Sequence, residues 1–98
     1  MLDQFRTYQL AVQLYRVSKP LSLPHHLKDQ LQRAASSVVL NLAEGSAKPT
    51  PKDRLRFYSI AFGSLREIQA VIDLEGDRLE PIAQLADKLA AHLYKLCR

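Results

Sequence analysis

Residues 41–58, "NLAEGSAKPTPKDRLRFY", decide how this chain folds. Leu42 and Ala43 close a run of apolar residues at helical spacing, with Gly45 near its end as a C-cap or as part of one further turn. "KPTPKD" then restarts the chain. Thr50 is a good N-cap, and Pro51 fits the first helical position, where its missing N–H costs nothing. Asp53 lies at the third position, favourable to the helix dipole and close to a capping box. One helix therefore ends between Glu44 and Lys48, and another begins at Pro51. The junction also carries Lys48, Lys52, Arg54 and Arg56, with Arg33 further up the first of the two helices. Whether this is a functional surface or a solvated turn is the main question the sequence raises.

Outward from the junction, the preceding helix starts near Pro24 or His25. Leu27, Leu31, Ala34, Val38 and Leu42 form its main stripe, widened by Ala35, Val39 and Ala43. The following helix runs to about Leu74 or Glu75, with Leu55, Tyr58, Phe62, Leu65, Ile68 and Ile72 as its apolar face, and Gly76-Asp77 ends it. A first helix over about residues 4–19 presents Phe5, Tyr8, Val12 and Tyr15, with Ala11 and Leu14 beside them, until Pro20 and Pro24 interrupt regular structure. A fourth covers about 79–97, with Pro81 in its first turn and Ile82, Leu85, Ala86, Leu89, Leu93 and Leu96 facing inward. No segment alternates as a strand would. Short connections make consecutive helices antiparallel neighbours, so the expected fold is all-α: an up-down-up-down four-helix bundle in one domain spanning 1–98.

Composition agrees. At 98 residues there is room for one small domain, which buries on the order of 60–65% of its surface. Hydrophobic residues make up 47%, enough for a folded core, and with no Trp that core should be Leu, Val, Ile and Ala. A formal net charge of +4 permits nucleic-acid or acidic-surface binding without demanding it. The single Cys97 allows no internal disulfide, which suits a reducing compartment. The polar start "MLDQFRTYQL" is unlike a signal peptide, and no apolar run reaches the roughly 20 residues of a membrane span, so the expected setting is the cytoplasm, away from any membrane.

Catalytic signatures are sparse. The three glycines, at 45, 63 and 76, form no phosphate-cradling loop. His92 and Cys97 are badly spaced for a thiol–imidazole pair. His25 and His26 point about 100° apart on a helix and lack metal-ligand spacing. The expectation is a non-enzyme without metal or cofactor.

Two other features carry information. Ala34, Ala35, Ser36 and Ser37 in the second helix, and Ala61, Gly63 and Ser64 in the third, are small. A glycine inside a helix costs about 1 kcal/mol relative to Ala, so Gly63 marks either a close helix–helix approach or a tolerated exposed position. Beside these residues Ser37, Asn41, Glu44, Ser64 and Glu67 form a polar strip, expected to be a structural hydrogen-bonded network between helices or subunits. In the basic cluster, Lys52 and Arg56 share a helix face, whereas Arg54 and Arg56 do not. Arg33 and Arg66 can add from neighbouring turns. Adjacent apolar residues such as Val38-Val39-Leu40 and Ala61-Phe62 exceed what one bundle covers, which predicts a homo-oligomer whose copies repeat the basic patch.

The stretch "LKDQLQRAASSVVLNLAEGSAKPTPKDRLRFYSIAFGSLREIQAVIDL" resembles the bacterial four helix bundle proteins. That family includes the proteins encoded in intervening sequences of large-subunit (23S) ribosomal RNA genes. It is similar, too, to the accessory proteins of diversity-generating retroelements. The likeness covers about residues 5–96 and is most specific over "QLQRAASSVVLNLAEGS" and "RFYSIAFGSLRE". It implies a ring-like homopentamer with a basic surface and, for the retroelement relatives, binding of nucleic acid and a reverse transcriptase. Arg33, Asn41, Glu44, Gly45, Arg56, Gly63, Ser64 and Glu67 fall on the family pattern. The expected function is then non-catalytic binding of RNA or DNA phosphates by Arg33, Lys48, Lys52, Arg54, Arg56 and Arg66. The alternative is a protein–protein scaffold or accessory subunit that does not touch nucleic acid.

Overall fold

Proline and glycine punctuate four helices. In the computed structural model, which describes Leu2 and residues 5–98, helix α1 spans Arg6–Ser18. The expected start at Gln4 lies outside the described residues. Helix α2 spans His25–Ser46, and the Pro24 carbonyl accepts its first N–H groups, from Leu27 and Lys28. Helix α3 spans Pro51–Glu75. Thr50, in extended conformation, accepts a hydrogen bond on its hydroxyl from the Asp53 N–H at 3.2 Å, as an N-cap should. Gly76 ends α3 with φ 63°, a conformation that strains any side chain but glycine. A 3-10 turn, Gly76–Leu79, then leads directly into α4, Glu80–Leu96. No strand occurs among the described residues.

The helices close a four-sided bundle: α1 packs on α2, α2 on α3, α3 on α4 and α4 back on α1. The α2–α3 pair has the most extensive contact, and its antiparallel register is marked by Gln30 beside Glu67, Ser37 beside Ser64 and Gly45 beside Tyr58. The body measures 40 × 21 × 20 Å, close to the length of its long helices. Its core is aliphatic, as the composition requires. Leu10, Leu14, Leu31, Val38, Leu42, Leu65, Ile68, Leu89 and Leu93 are buried, each large side chain contributing about 1.5–3 kcal/mol of transfer free energy. Phe5 is tilted against Tyr58 at 6.2 Å between centroids.

Three expectations from periodicity are corrected. The inward face of α1 centres on Thr7, Leu10, Ala11, Leu14 and Ser18, while Phe5, Tyr8, Val12 and Tyr15 flank it half-buried. The tyrosines suit that flank because a phenol body can be covered while its hydroxyl stays wet. Leu55 leaves the apolar face of α3 and is 41% exposed. The close helix–helix approach is made at Gly45, not Gly63. A Cβ at Gly45 would meet the Tyr58 ring at 2.7 Å and Phe57 Cβ at 3.0 Å, whereas one at Gly63 would meet nothing within 4 Å.

Candidate nucleic-acid interface

Antiparallel packing sets the first turn of α3 beside the last turn of α4, and there the basic residues of two distant segments meet. Lys52 and Arg54 from α3 and Lys95 and Arg98 from the end of α4 line an open groove of about 540 Å³. Leu55, Tyr58 and Leu96 supply its apolar wall, and among the described residues no acidic side chain lines it. The α3 N-terminus and the α4 C-terminus lie side by side with opposed partial charges, so their dipoles largely cancel and the positive potential belongs to the four side chains.

Arg54 is held in place. Its guanidinium donates to the Lys48 carbonyl at 2.9 Å, across the turn that joins α2 to α3. That satisfies a carbonyl beyond the α2 terminus and leaves the other N–H groups of the fork free for a ligand. Burial pushes the Tyr58 hydroxyl above its ordinary pKa, with the Arg54 charge acting in the opposite direction.

The remaining sequence-picked cations lie elsewhere. Lys48 pairs with Glu44 at 3.2 Å and sits over the Phe57 ring at 5.1 Å, a ring that Arg56 also approaches at 5.7 Å. The junction cluster thus divides, Lys48 and Arg56 gathering at Phe57 while Lys52 and Arg54 turn to α4. Arg33 and Arg66 are exposed, each about 20 Å along its helix from the junction at a rise of about 1.5 Å per residue. That is about twice the Debye length in physiological salt, too far to add to the groove. Arg66 instead donates to Gln69 at 2.6 Å and lies over the Phe62 ring at 4.6 Å.

A profile of the 23S rRNA-intervening sequence proteins matches residues 5–98, nearly the whole chain. The chain belongs to that family. No curated protein and no solved structure matches it.

The polar strip is split. Ser37 and Ser64 share a hydrogen bond of 2.7 Å across the α2–α3 contact, and Asn41 donates to the Ser37 carbonyl at 2.9 Å and to its hydroxyl at 3.2 Å. These three form a compact half-buried network. Glu44 and Glu67 are not part of it: Glu44 faces Lys48 in solvent, and Glu67 accepts from Gln30 on the exposed edge of the pair. Helix spacing explains the split. Ser37 and Asn41 are four apart on one face, whereas the next residue of that face after Asn41 is Gly45, with Glu44 turned outward.

His25 and Cys97 each have a local partner. His25 is exposed and pairs with Asp29 at 3.3 Å. The Cys97 thiol is half-buried, and burial pushes its pKa up against a hydrogen bond with Ser59. Among the described residues no group of three or more His, Cys, Asp or Glu side chains could hold a metal, and no helix is long and apolar enough to cross a membrane.

Lys95 and Arg98 lie far in sequence from the basic cluster at 48–56, so periodicity and clustering do not pick them out. Lys95 has a local signal in its place in the last turn of α4, where basic residues commonly complement the helix dipole, while Arg98 lies just past the C-cap Cys97. Only the antiparallel pairing of α3 and α4 sets them beside Lys52 and Arg54.

Proposed function

We propose that this protein is a non-catalytic, self-associating nucleic-acid-binding module that takes phosphates in the groove between the start of α3 and the end of α4. The observation that carries this reading is the set of four cations, Lys52, Arg54, Lys95 and Arg98, around one groove that no acidic side chain lines among the described residues. Cations gathered without acidic partners repel one another, and a polyanion relieves that repulsion while releasing its own counterions. The family's name connects its members with an intervening sequence of 23S rRNA, which makes RNA the first ligand to test. The unpaired Cys97 suits a reducing, cytoplasmic setting.

If the groove neutralises four phosphates of a single strand, the slope of log K against log salt is about −2.8. Affinity for RNA should then fall about fiftyfold between 50 and 200 mM salt, which anisotropy titrations would follow. No binding at low salt, or affinity indifferent to salt, would defeat the reading.

Self-association is supported on the opposite flank of the bundle. Val12, Tyr15, Val39 and Leu40 of α1 and α2, with Ser36, line a groove of about 200 Å³, and Leu40 is 66% exposed. A second copy of the chain would cover this surface, and repetition of the basic groove around a homopentamer would add the potentials of its copies. Light scattering at micromolar concentration should give a multiple of 11.1 kDa, and Leu40→Glu should shift it towards the single chain. A wild-type monomer under those conditions would contradict this part. The same apolar flank also favours the rival reading, a scaffold or accessory subunit to a protein such as a reverse transcriptase. That reading requires a protein partner retained through purification and a preparation free of nucleic acid.

A further inference from the structure

The groove is not uniformly polar, and its apolar part distinguishes between polyanions. Leu55 is 41% exposed at the position where α3 periodicity would bury it, and Leu96 and the edge of Tyr58 continue the same wall beneath Lys95 and Arg54. A duplex stacks its bases inward and presents hydrated sugar and phosphate. Laid on this groove, it would cover the leucines with groups that gain nothing from them. A single strand has unstacked bases, which can bury an apolar face on such a wall while their phosphates reach the cations. The volume, about 540 Å³, lies within the range of about 300–1,000 Å³ typical of sites for small groups, so the groove has room for a base. Arg54, already fixed by the Lys48 carbonyl, offers its planar fork at the edge of that wall.

We infer that the ligand of this groove is single-stranded nucleic acid, with phosphates on Lys52, Arg54, Lys95 and Arg98 and a base against Leu55 and Leu96. This rests on the polyanion-binding reading above and adds strandedness to it. The test compares an oligouridylate with an RNA duplex of equal length at low salt, using wild-type protein and Leu55→Ser. Leu55 is exposed, so its replacement leaves the fold intact, and circular dichroism verifies this. The wild type should bind the single strand about tenfold more tightly than the duplex. Leu55→Ser should lose about fivefold on the single strand with its salt slope unchanged, and lose nothing on the duplex. Equal or tighter duplex binding, or a Leu55→Ser variant that binds the single strand as the wild type does, overturns the strandedness and leaves phosphate binding standing. Failure to bind either ligand defeats both.

Discussion

Gly45→Val should lower the melting temperature by about 10–20 °C, whereas Gly63→Ala should raise it by about 4–8 °C. Both glycines lie inside helices, so propensity alone predicts that any ordinary replacement stabilises, by up to about 1 kcal/mol. At Gly63 nothing opposes this gain, because a new methyl meets no atom within 4 Å. At Gly45 the new Cβ meets the Tyr58 ring at 2.7 Å and Phe57 Cβ at 3.0 Å, closer than side-chain carbons approach one another. Tyr58 cannot swing aside freely, being buried and packed on Phe5. Relief must come from separating α2 and α3, which strains the Ser37–Ser64 hydrogen bond further along the same contact. Overpacking of this kind costs about 1–3 kcal/mol, and the branched side chain of Val places it at the upper end. Thermal unfolding followed by circular dichroism at matched concentration reads both variants. A Gly45→Val protein as stable as the wild type would mean that α2 and α3 do not approach closely at Gly45.

The contrast between the two glycines shows what could be read from the residues alone. A helix interior that tolerates glycine signals a close approach somewhere, but sequence does not say which glycine faces the neighbouring helix. Gly63 has small neighbours in Ala61 and Ser64, but these face inward while Gly63 points to solvent. Features determined within a few residues were legible. Thr50 and Pro51 open α3, Gly76 ends it, and the prolines at 20 and 24 separate α1 from α2, because caps and breakers act through local hydrogen bonds and backbone angles. Features that depend on helix rotation were legible only in part. The α1 stripe was placed on its aromatic residues, whereas two neighbours, α2 and α4, turn Leu10 and Leu14 inward. Half of the groove was hidden for a related reason. Lys52 and Arg54 stood out as a cluster in sequence, but Lys95 and Arg98 lie about forty residues further on, and only tertiary packing joins them.

Replacing Lys52, Lys95 and Arg98 together by Gln should reduce RNA affinity on the order of 100-fold in low salt and make the salt slope shallower by about 2. The matched control replaces Arg33, Lys48 and Arg56 by Gln. Each triple removes three positive charges from a protein of formal net charge +4, so a purely global field would weaken binding equally in both. The two sets differ in surroundings. Lys48 is already offset by Glu44, and Arg56 shares the Phe57 ring with it, while Arg33 stands about 20 Å from the junction, beyond the reach of screened charge. In the groove set Arg98 lies over the Tyr94 ring at 5.8 Å, but among the described residues none of the three pairs with an acidic side chain, and all three line one space. All three of its members are exposed, so neither stability nor assembly should change, and the control triple supplies the comparison for both. Arg54 is left in place because its bond to the Lys48 carbonyl ties it to the α2–α3 turn, where replacement would mix a folding effect with a binding one. Anisotropy titrations across a salt series separate the slope from the intercept. A control triple that binds as weakly as the groove triple would show that overall charge, rather than this arrangement of four cations, draws the polyanion.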